Sequence, residues 1–161
     1  MIRIGFGFDT HRLEPGRILR LGGVEIPDEK GAAGHSDADV LIHAVCDALL
    51  GAAGLRDIGY HFPDTSAEYK DISSSILLEK TMDLINSRSF SVQNADTTIV
   101  LQSPRISAYI PEMIHVISGI LNIPENAVSV KAKTSENLGF IGRGEGISAY
   151  AVVLLNSRDE Q

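Results

Sequence analysis

Gly5-Phe6-Gly7-Phe8-Asp9-Thr10-His11, near the start of the chain, decides how the rest is read. In extended backbone the side chains alternate between faces. Ile2, Ile4, Phe6 and Phe8 therefore share one face, and Gly5, Gly7, Asp9 and His11 share the other. The first face reads as a core stripe. The second carries two residues without side chains, then a carboxylate and an imidazole two positions apart. Paired glycines weaken a strand, so here they signal that something approaches the backbone closely. Asp9 and His11 make half of a metal site, or half of a catalytic pair.

Working outward, the first candidate for the other half lies on a helix. Ser36 followed by Asp39 has capping-box spacing, and Asp37 and Asp39 would place negative charge in a first turn. Val40, Leu41, Ala44, Val45, Ala48 and Leu49 then recur at helical period until Gly51 or Gly54. Asp39, His43 and Asp47 are four apart and share a face of that helix. One oxygen and two nitrogens from Asp9, His11 and His43 are ligands of zinc type, and three protein ligands with an open position mark catalytic zinc. Spacing leaves a second reading open, a satisfied core histidine beside a surface Asp/His pair.

Composition narrows the class. The chain has 161 residues, 43% of them hydrophobic and 22% charged, as in an ordinary globular domain with a real core. A formal net charge of -7 argues against nucleic acid or an anionic membrane as partner. The one cysteine, Cys46, excludes an intramolecular disulfide and sits among small apolar residues as a buried filler. No apolar run approaches the ~20 residues of a membrane span, and no leader pattern opens the chain. The expectation is a cytoplasmic protein with a single domain over residues 1–161.

Residues 12–17 and 28–34 read as loops flanking a hairpin, in which Ile18 to Leu21 and Val24 to Pro27 surround the Gly22-Gly23 turn. Residues 57–71 read as a long loop. Helices follow over 72–87 and 106–121, strands over 90–101, 128–132 and 147–155, and a frayed tail after 157. This order gives an α/β fold of the α+β two-layer sandwich type: one mixed sheet with helices packed on one face. The uncovered face, with Phe8, Val152 and Leu154 as candidates, asks for another copy of the chain.

Three further stretches carry weaker signals. His35-Ser36 before the helix suits a phosphate at backbone amides, or a plain cap. His61 reads as a solvated loop side chain. Four glycines between Gly139 and Gly146, with Arg143 and Glu145 among them, form either a phosphate loop or a turn. No Walker or dinucleotide fingerprint is present.

Taken together these segments resemble the 2-C-methyl-D-erythritol 2,4-cyclodiphosphate synthase family nearly end to end. The matching pieces are Gly5 to His11, Gly22-Gly23-Val24 with Ile26-Pro27, His35-Ser36-Asp37 with Asp39-Val40, and His43-Ala44. They continue through Asp47 to Ala52, Asp57-Ile58-Gly59, Phe62-Pro63-Asp64, Val130-Lys131-Ala132, Glu136, and Leu138 to Gly146.

The resemblance implies a homotrimer with active sites between subunits. It implies zinc on Asp9, His11 and His43, and magnesium or manganese on Glu136. The substrate implied is 4-diphosphocytidyl-2-C-methyl-D-erythritol 2-phosphate, whose 2-phosphate attacks the β-phosphate and expels CMP. His35 and Thr134 match the positions that stabilise the transition state, and Ser36 one that holds phosphate. Asp57, Ile58, Gly59, Phe62, Pro63, Asp64, Thr65 and Ser66 match the methylerythritol end. Leu101, Gln102, Ser103, Pro104, Arg105, Ile106 and Ser107 match the cytosine pocket. Lys133, Thr134, Ser135, Glu136, Phe140 and Arg143 match the diphosphate end. Asp47, one turn beyond His43, is expected to orient that ligand. Lys133, Arg105 and Ile106 replace the commoner threonine, lysine and methionine. Some members hold an isoprenoid diphosphate at the trimer axis, and Tyr150 stands where some of them carry an acid. The competing readings are a zinc phosphohydrolase and a non-catalytic trimeric nucleotide- or isoprenoid-binding protein.

Overall fold

The computed structural model describes residues 1–63, 65–69 and 71–157. The opening stretch forms β1 (Ile2–Pro15), and the helix expected after it is α1 (Val40–Ala52). Gly5 and Gly7 are where the two meet. A Cβ on Gly5 would lie 1.8 Å from the Ala48 carbonyl oxygen, and one on Gly7 1.9 Å from that of Ala44. Only glycine lets helix and strand backbones come this close. Small residues on both elements thus bring Asp9, His11 and His43 into one layer.

The core therefore lies on the glycine face, and the expected core stripe is reversed. Ile2, Ile4, Phe6 and Phe8 are exposed, and Tyr150 and Val152 lie exposed beside them. The glycine face is buried because a helix can sit directly on it, while the large side chains opposite are left without cover in one chain.

β1 is longer than its sequence suggests. It runs on through residues 12–15 and pairs with β4 (Lys30–Ala33), in a segment that reads as a loop. Between them β2 (Leu19–Leu21) and β3 (Val24–Ile26) form the expected hairpin as a separate two-stranded sheet. Gly22 and Gly23 turn it with φ of 60° and 79°, a left-handed pair suited to a tight hairpin. α2 (Ile58–His61) and α3 (Ser74–Ser87) follow, then β5 (Phe90–Val100), α4 (Ile110–Leu121) and β6 (Val128–Lys133). The glycine-rich stretch holds the single turn α5 (Gly139–Gly142) and leads into β7 (Gly146–Ser157). The main sheet has the order β4-β1-β7-β5-β6, antiparallel except for β5 and β6. It is a mixed sheet with α1, α3 and α4 on one side, as expected.

Asp39, not Ser36, caps α1. Its fully buried carboxylate accepts from Ile42 N at 3.1 Å, Gly22 N at 2.9 Å and Gly23 N at 2.7 Å. One side chain thus caps the helix and ties the hairpin turn to it, which Ser36 is too short and too distant to do. Cys46 is buried as expected, and burial pushes its thiol up to about 12. Among the described residues no helix is long and apolar enough to cross a membrane.

Candidate metal centre

β1 ends its glycine run with Asp9 and His11 facing α1, and α1 returns His43. Asp9 Oδ2 lies 2.9 Å from His11 Nε2 and 3.0 Å from His43 Nδ1, and the two nitrogens are 3.1 Å apart. Both remaining partners fix what these atoms are. His11 Nδ1 is 3.0 Å from the Ala33 carbonyl oxygen, so that nitrogen carries the proton and Nε2 a lone pair. Asp9 Oδ1 accepts from Thr10 N at 2.9 Å, which leaves Oδ2 to face the imidazoles.

Asp9 Oδ2 and His11 Nε2 thus converge with His43 Nδ1 on one point, an arrangement suited to a shared cation. Ligands ~2.0–2.1 Å from one tetrahedral ion stand roughly 3.3 Å apart, close to the spacing observed. The donor set fits a divalent metal of zinc type. Without one, the carboxylate and the imidazoles bear on one another directly. Burial opposes ionisation of Asp9, but hydrogen bonds and charge from His11 and His43 hold its carboxyl far below the usual range. Burial likewise opposes a charged His11, and Asp9 outweighs it, raising the pKa.

A cavity of about 280 Å³ opens over the triad, lined by His11, His35, Ser36, His43, Ile58, Gly59, Phe62, Tyr69 and Leu77. His35 is held in this rim by its carbonyl, which accepts from Asp71 N at 3.0 Å. Ser36 Oγ lies 3.1 Å from His43 Nε2 and accepts from Ala38 N. Asp57 caps α2 through Tyr60 N at 2.8 Å. Pro63, Thr65 and Ser66 lie beyond the lining residues, and Asp64 is outside the described residues. His61 has a partner, the Leu55 carbonyl oxygen at 2.7 Å, and is not merely solvated.

Asp47 does not orient His43. Its Oδ1 accepts from Ile58 N at 2.7 Å, so it fastens α2 to α1 and presents Ile58 and Gly59 to the cavity. The groups behind His43 are Ser36 and Ser74, the latter with Oγ 2.9 Å from Nε2. Ser74 and Leu77 went unseen from sequence because α3 reaches the site only through tertiary packing, and Tyr69 because it sits in the short 3-10 turn Ala67–Tyr69 ahead of that helix.

The other expected residues gather elsewhere. Leu101, Gln102, Pro104, Arg105, Ile106 and Ser107 line a second cavity of about 170 Å³ with Ala132, Lys133 and Thr134. Glu136 is exposed beside it and accepts from Thr134 Oγ1 at 3.1 Å, while Ser135 donates to the Leu138 carbonyl oxygen at 2.8 Å. The two cavities share no lining residue. In the sheet β7 and β5 stand between β1 and β6. The two sites thus lie over strands two to three spacings apart, roughly 10–14 Å. Phe140 lies near neither pocket's floor but beside His11 in a third hollow, and Arg143 makes two hydrogen bonds to Glu145 at 2.8 and 3.0 Å.

The model of the YgbB family matches residues 2–156. The chain belongs to the YgbB family. A 2-C-methyl-D-erythritol 2,4-cyclodiphosphate synthase of Phocaeicola vulgatus is 58% identical over 158 residues, covering 98% of this chain and 99% of that protein. The synthase of Bacteroides fragilis is 56% identical over 155 residues, covering 96% and 98%. Among solved structures, the bifunctional IspDF of Campylobacter jejuni superposes with a TM-score of 0.94 at 41% identity, over 99% of this chain and 43% of that one. The Plasmodium falciparum IspF in complex with CDP gives 0.86 at 37% identity, over 98% and 97%. Those two structures thus share the fold of this chain over nearly its whole length.

Proposed function

We propose that this chain is a single catalytic domain that converts 4-diphosphocytidyl-2-C-methyl-D-erythritol 2-phosphate into 2-C-methyl-D-erythritol 2,4-cyclodiphosphate and CMP. The observation that carries the reading is the convergence of Asp9 Oδ2, His11 Nε2 and His43 Nδ1 at the mouth of a cavity, in a chain that aligns with such synthases over nearly its whole length. An oxygen of the 2-phosphate bonds to the β-phosphorus, and the bond from that phosphorus to the oxygen bridging to the α-phosphate breaks. CMP leaves with that oxygen and its electron pair. No water is consumed.

The transfer brings two anions together, so the protein must place and neutralise them rather than form a covalent intermediate. Asp9, His11 and His43 would hold zinc, which supplies Lewis-acid charge at a phosphate oxygen. Glu136, an exposed carboxylate with a hydroxyl beside it, would hold magnesium or manganese against the diphosphate. His35 and Ser36, at the rim of the first cavity, donate hydrogen bonds to phosphate oxygens. Ile58, Gly59 and Phe62 form the wall for the methylerythritol carbons. Lys133 and Thr134 bring a charge and a hydroxyl to the diphosphate from the second cavity, whose buried Leu101 and Ile106 floor receives the flat cytosine.

Two half-sites so far apart in one chain are supported as parts of one site when neighbouring subunits supply one each. The exposed apolar face of Ile2, Ile4, Phe6, Phe8, Tyr150 and Val152 supports the homotrimer, since unpartnered patches of this kind mark interfaces. Tyr150 packs against Phe8 there, with ring centroids 5.2 Å apart, and an isoprenoid diphosphate on the trimer axis would meet this aromatic cluster. The setting is the cytoplasm.

Purified protein given the cytidylyl substrate with zinc and magnesium should release CMP and the cyclic diphosphate in equal amounts. Chelation should stop turnover and added metal restore it. Linear products would indicate a hydrolase instead, and binding without turnover a nucleotide-binding protein.

A further inference from the structure

His43 is braced from behind by Ser74, which the reaction itself does not call on, and through Ser74 by Asp37. Ser74 opens α3, is fully buried, and places its Oγ 2.9 Å from His43 Nε2. Its hydroxyl donates to Asp37 Oδ1, and its backbone N donates to Asp37 Oδ2 at 3.1 Å. A hydroxyl has a single proton. With that proton directed at Asp37, Ser74 can only accept from the imidazole. His43 Nε2 therefore carries the ring proton, and Nδ1 keeps a lone pair toward Asp9 and His11.

We propose that the Asp37–Ser74 pair is a positioning element of the metal centre, which fixes the tautomer and the ring plane of His43 so that Nδ1 serves as a ligand. The proposal rests on reading the triad as a metal centre. Metal-bound histidines are commonly backed by a carboxylate. Here the acid one turn along, Asp47, is committed to Ile58 N, and a hydroxyl relays a more distant carboxylate in its place. Ser36 Oγ, 3.1 Å from the same nitrogen, is a second acceptor. The same pair joins the metal layer to α3, because Asp37 caps that helix at Ser74 N, where Ser73 makes no side-chain cap of its own. Asp37 N in turn donates to the Ile72 carbonyl oxygen at 3.2 Å, so the brace is anchored on both sides.

The test uses the full chain, stripped of metal and titrated with cobalt(II) or zinc against a chromophoric chelator. Ser74→Ala should weaken metal binding roughly ten- to a hundredfold, and Ser74→Thr, which keeps the hydroxyl, should recover most of the loss. Nitrogen-15 ring shifts of metal-free wild type should show His43 protonated at Nε2, and Ser74→Ala should show a mixture of tautomers. Wild-type affinity in Ser74→Ala would overturn the proposal alone. So would a wild-type His43 with no proton on Nε2, a result that needs no variant to fold. Wild type that binds no metal would overturn the metal-centre reading and this proposal with it.

Discussion

Gly7→Ala should damage the metal centre without touching a ligand. The added Cβ would lie 1.9 Å from the Ala44 carbonyl oxygen and 2.7 Å from Ala48 N, both backbone atoms of α1. Ordinary contact begins near 3.4 Å, so helix and strand must separate by 3.4 − 1.9 = 1.5 Å at this level. His43 precedes Ala44 on that turn, and its 3.0 Å approach to Asp9 would stretch by a similar amount. Overpacking typically costs ~1–3 kcal/mol. Because no flexible side chain can swing aside, about 3 kcal/mol is the working figure here. For a chain of this size that is a fall of roughly 6–12 °C in melting temperature. Thermal unfolding in chelator gives the stability, and cobalt(II) titration gives the affinity. A variant that matches wild type in both would refute the account of how β1 and α1 meet.

Other outcomes follow from the same contacts. Asp39→Ala strands three amide donors and removes the α1 cap, so urea unfolding should show a loss of about 3–5 kcal/mol; a loss below ~1 kcal/mol would be inconsistent with the clamp. In metal-free protein Asp9 has a lowered pKa and His11 a raised one. The Asp9 contribution is present above the unfolded carboxyl value near 3.9 and lost as pH falls through the folded value, and the His11 contribution is full below about 6.5 and lost as pH rises through its folded value. The stability advantage of metal-free wild type over His11→Gln should therefore shrink above pH ~6.5, while metal affinity rises; an advantage constant with pH would argue against the Asp9–His11 pairing. Phe6 and Val152 are opposite each other on β1 and β7, so Phe6→Asp with Val152→Asp should yield single chains by sedimentation, and an unchanged assembly would remove this face from the interface.

What could be read from the sequence depended on whether local pattern or distant packing decided each element. α1, α3, α4 and the Gly22-Gly23 hairpin carry their own period and turn chemistry, and they appear where expected. β4 does not: Lys30-Gly31-Ala32-Ala33 has no strand preference and is extended because β1 offers an edge to pair with. The cap of α1 moved to Asp39 because that carboxylate also satisfies two hairpin amides. Alternation along β1 sorted the residues into the right two faces, yet it carries no sign of which face is covered. Bulk suggested the phenylalanines, whereas close approach of α1 chose the glycines. In the site, Asp9, His11 and His43 were legible from residue type. The Ser74 and Asp37 brace was not, since 31 residues separate Ser74 from the ring it orients.

The central claim is one phosphoryl-transfer site assembled from the metal half of one chain and the cytidine half of another. Co-expression of Asp9→Asn, which lacks a metal half, with Ala132→Trp, which fills the second cavity, tests it most directly. Each variant alone should be inactive. In a cyclic assembly of equal amounts, about a quarter of the interfaces would pair two intact halves, so CMP release and cyclic product should return to roughly that fraction of the wild-type rate. Mixed assemblies that remain inactive would contradict the account, because a site built within one chain would be broken in every subunit.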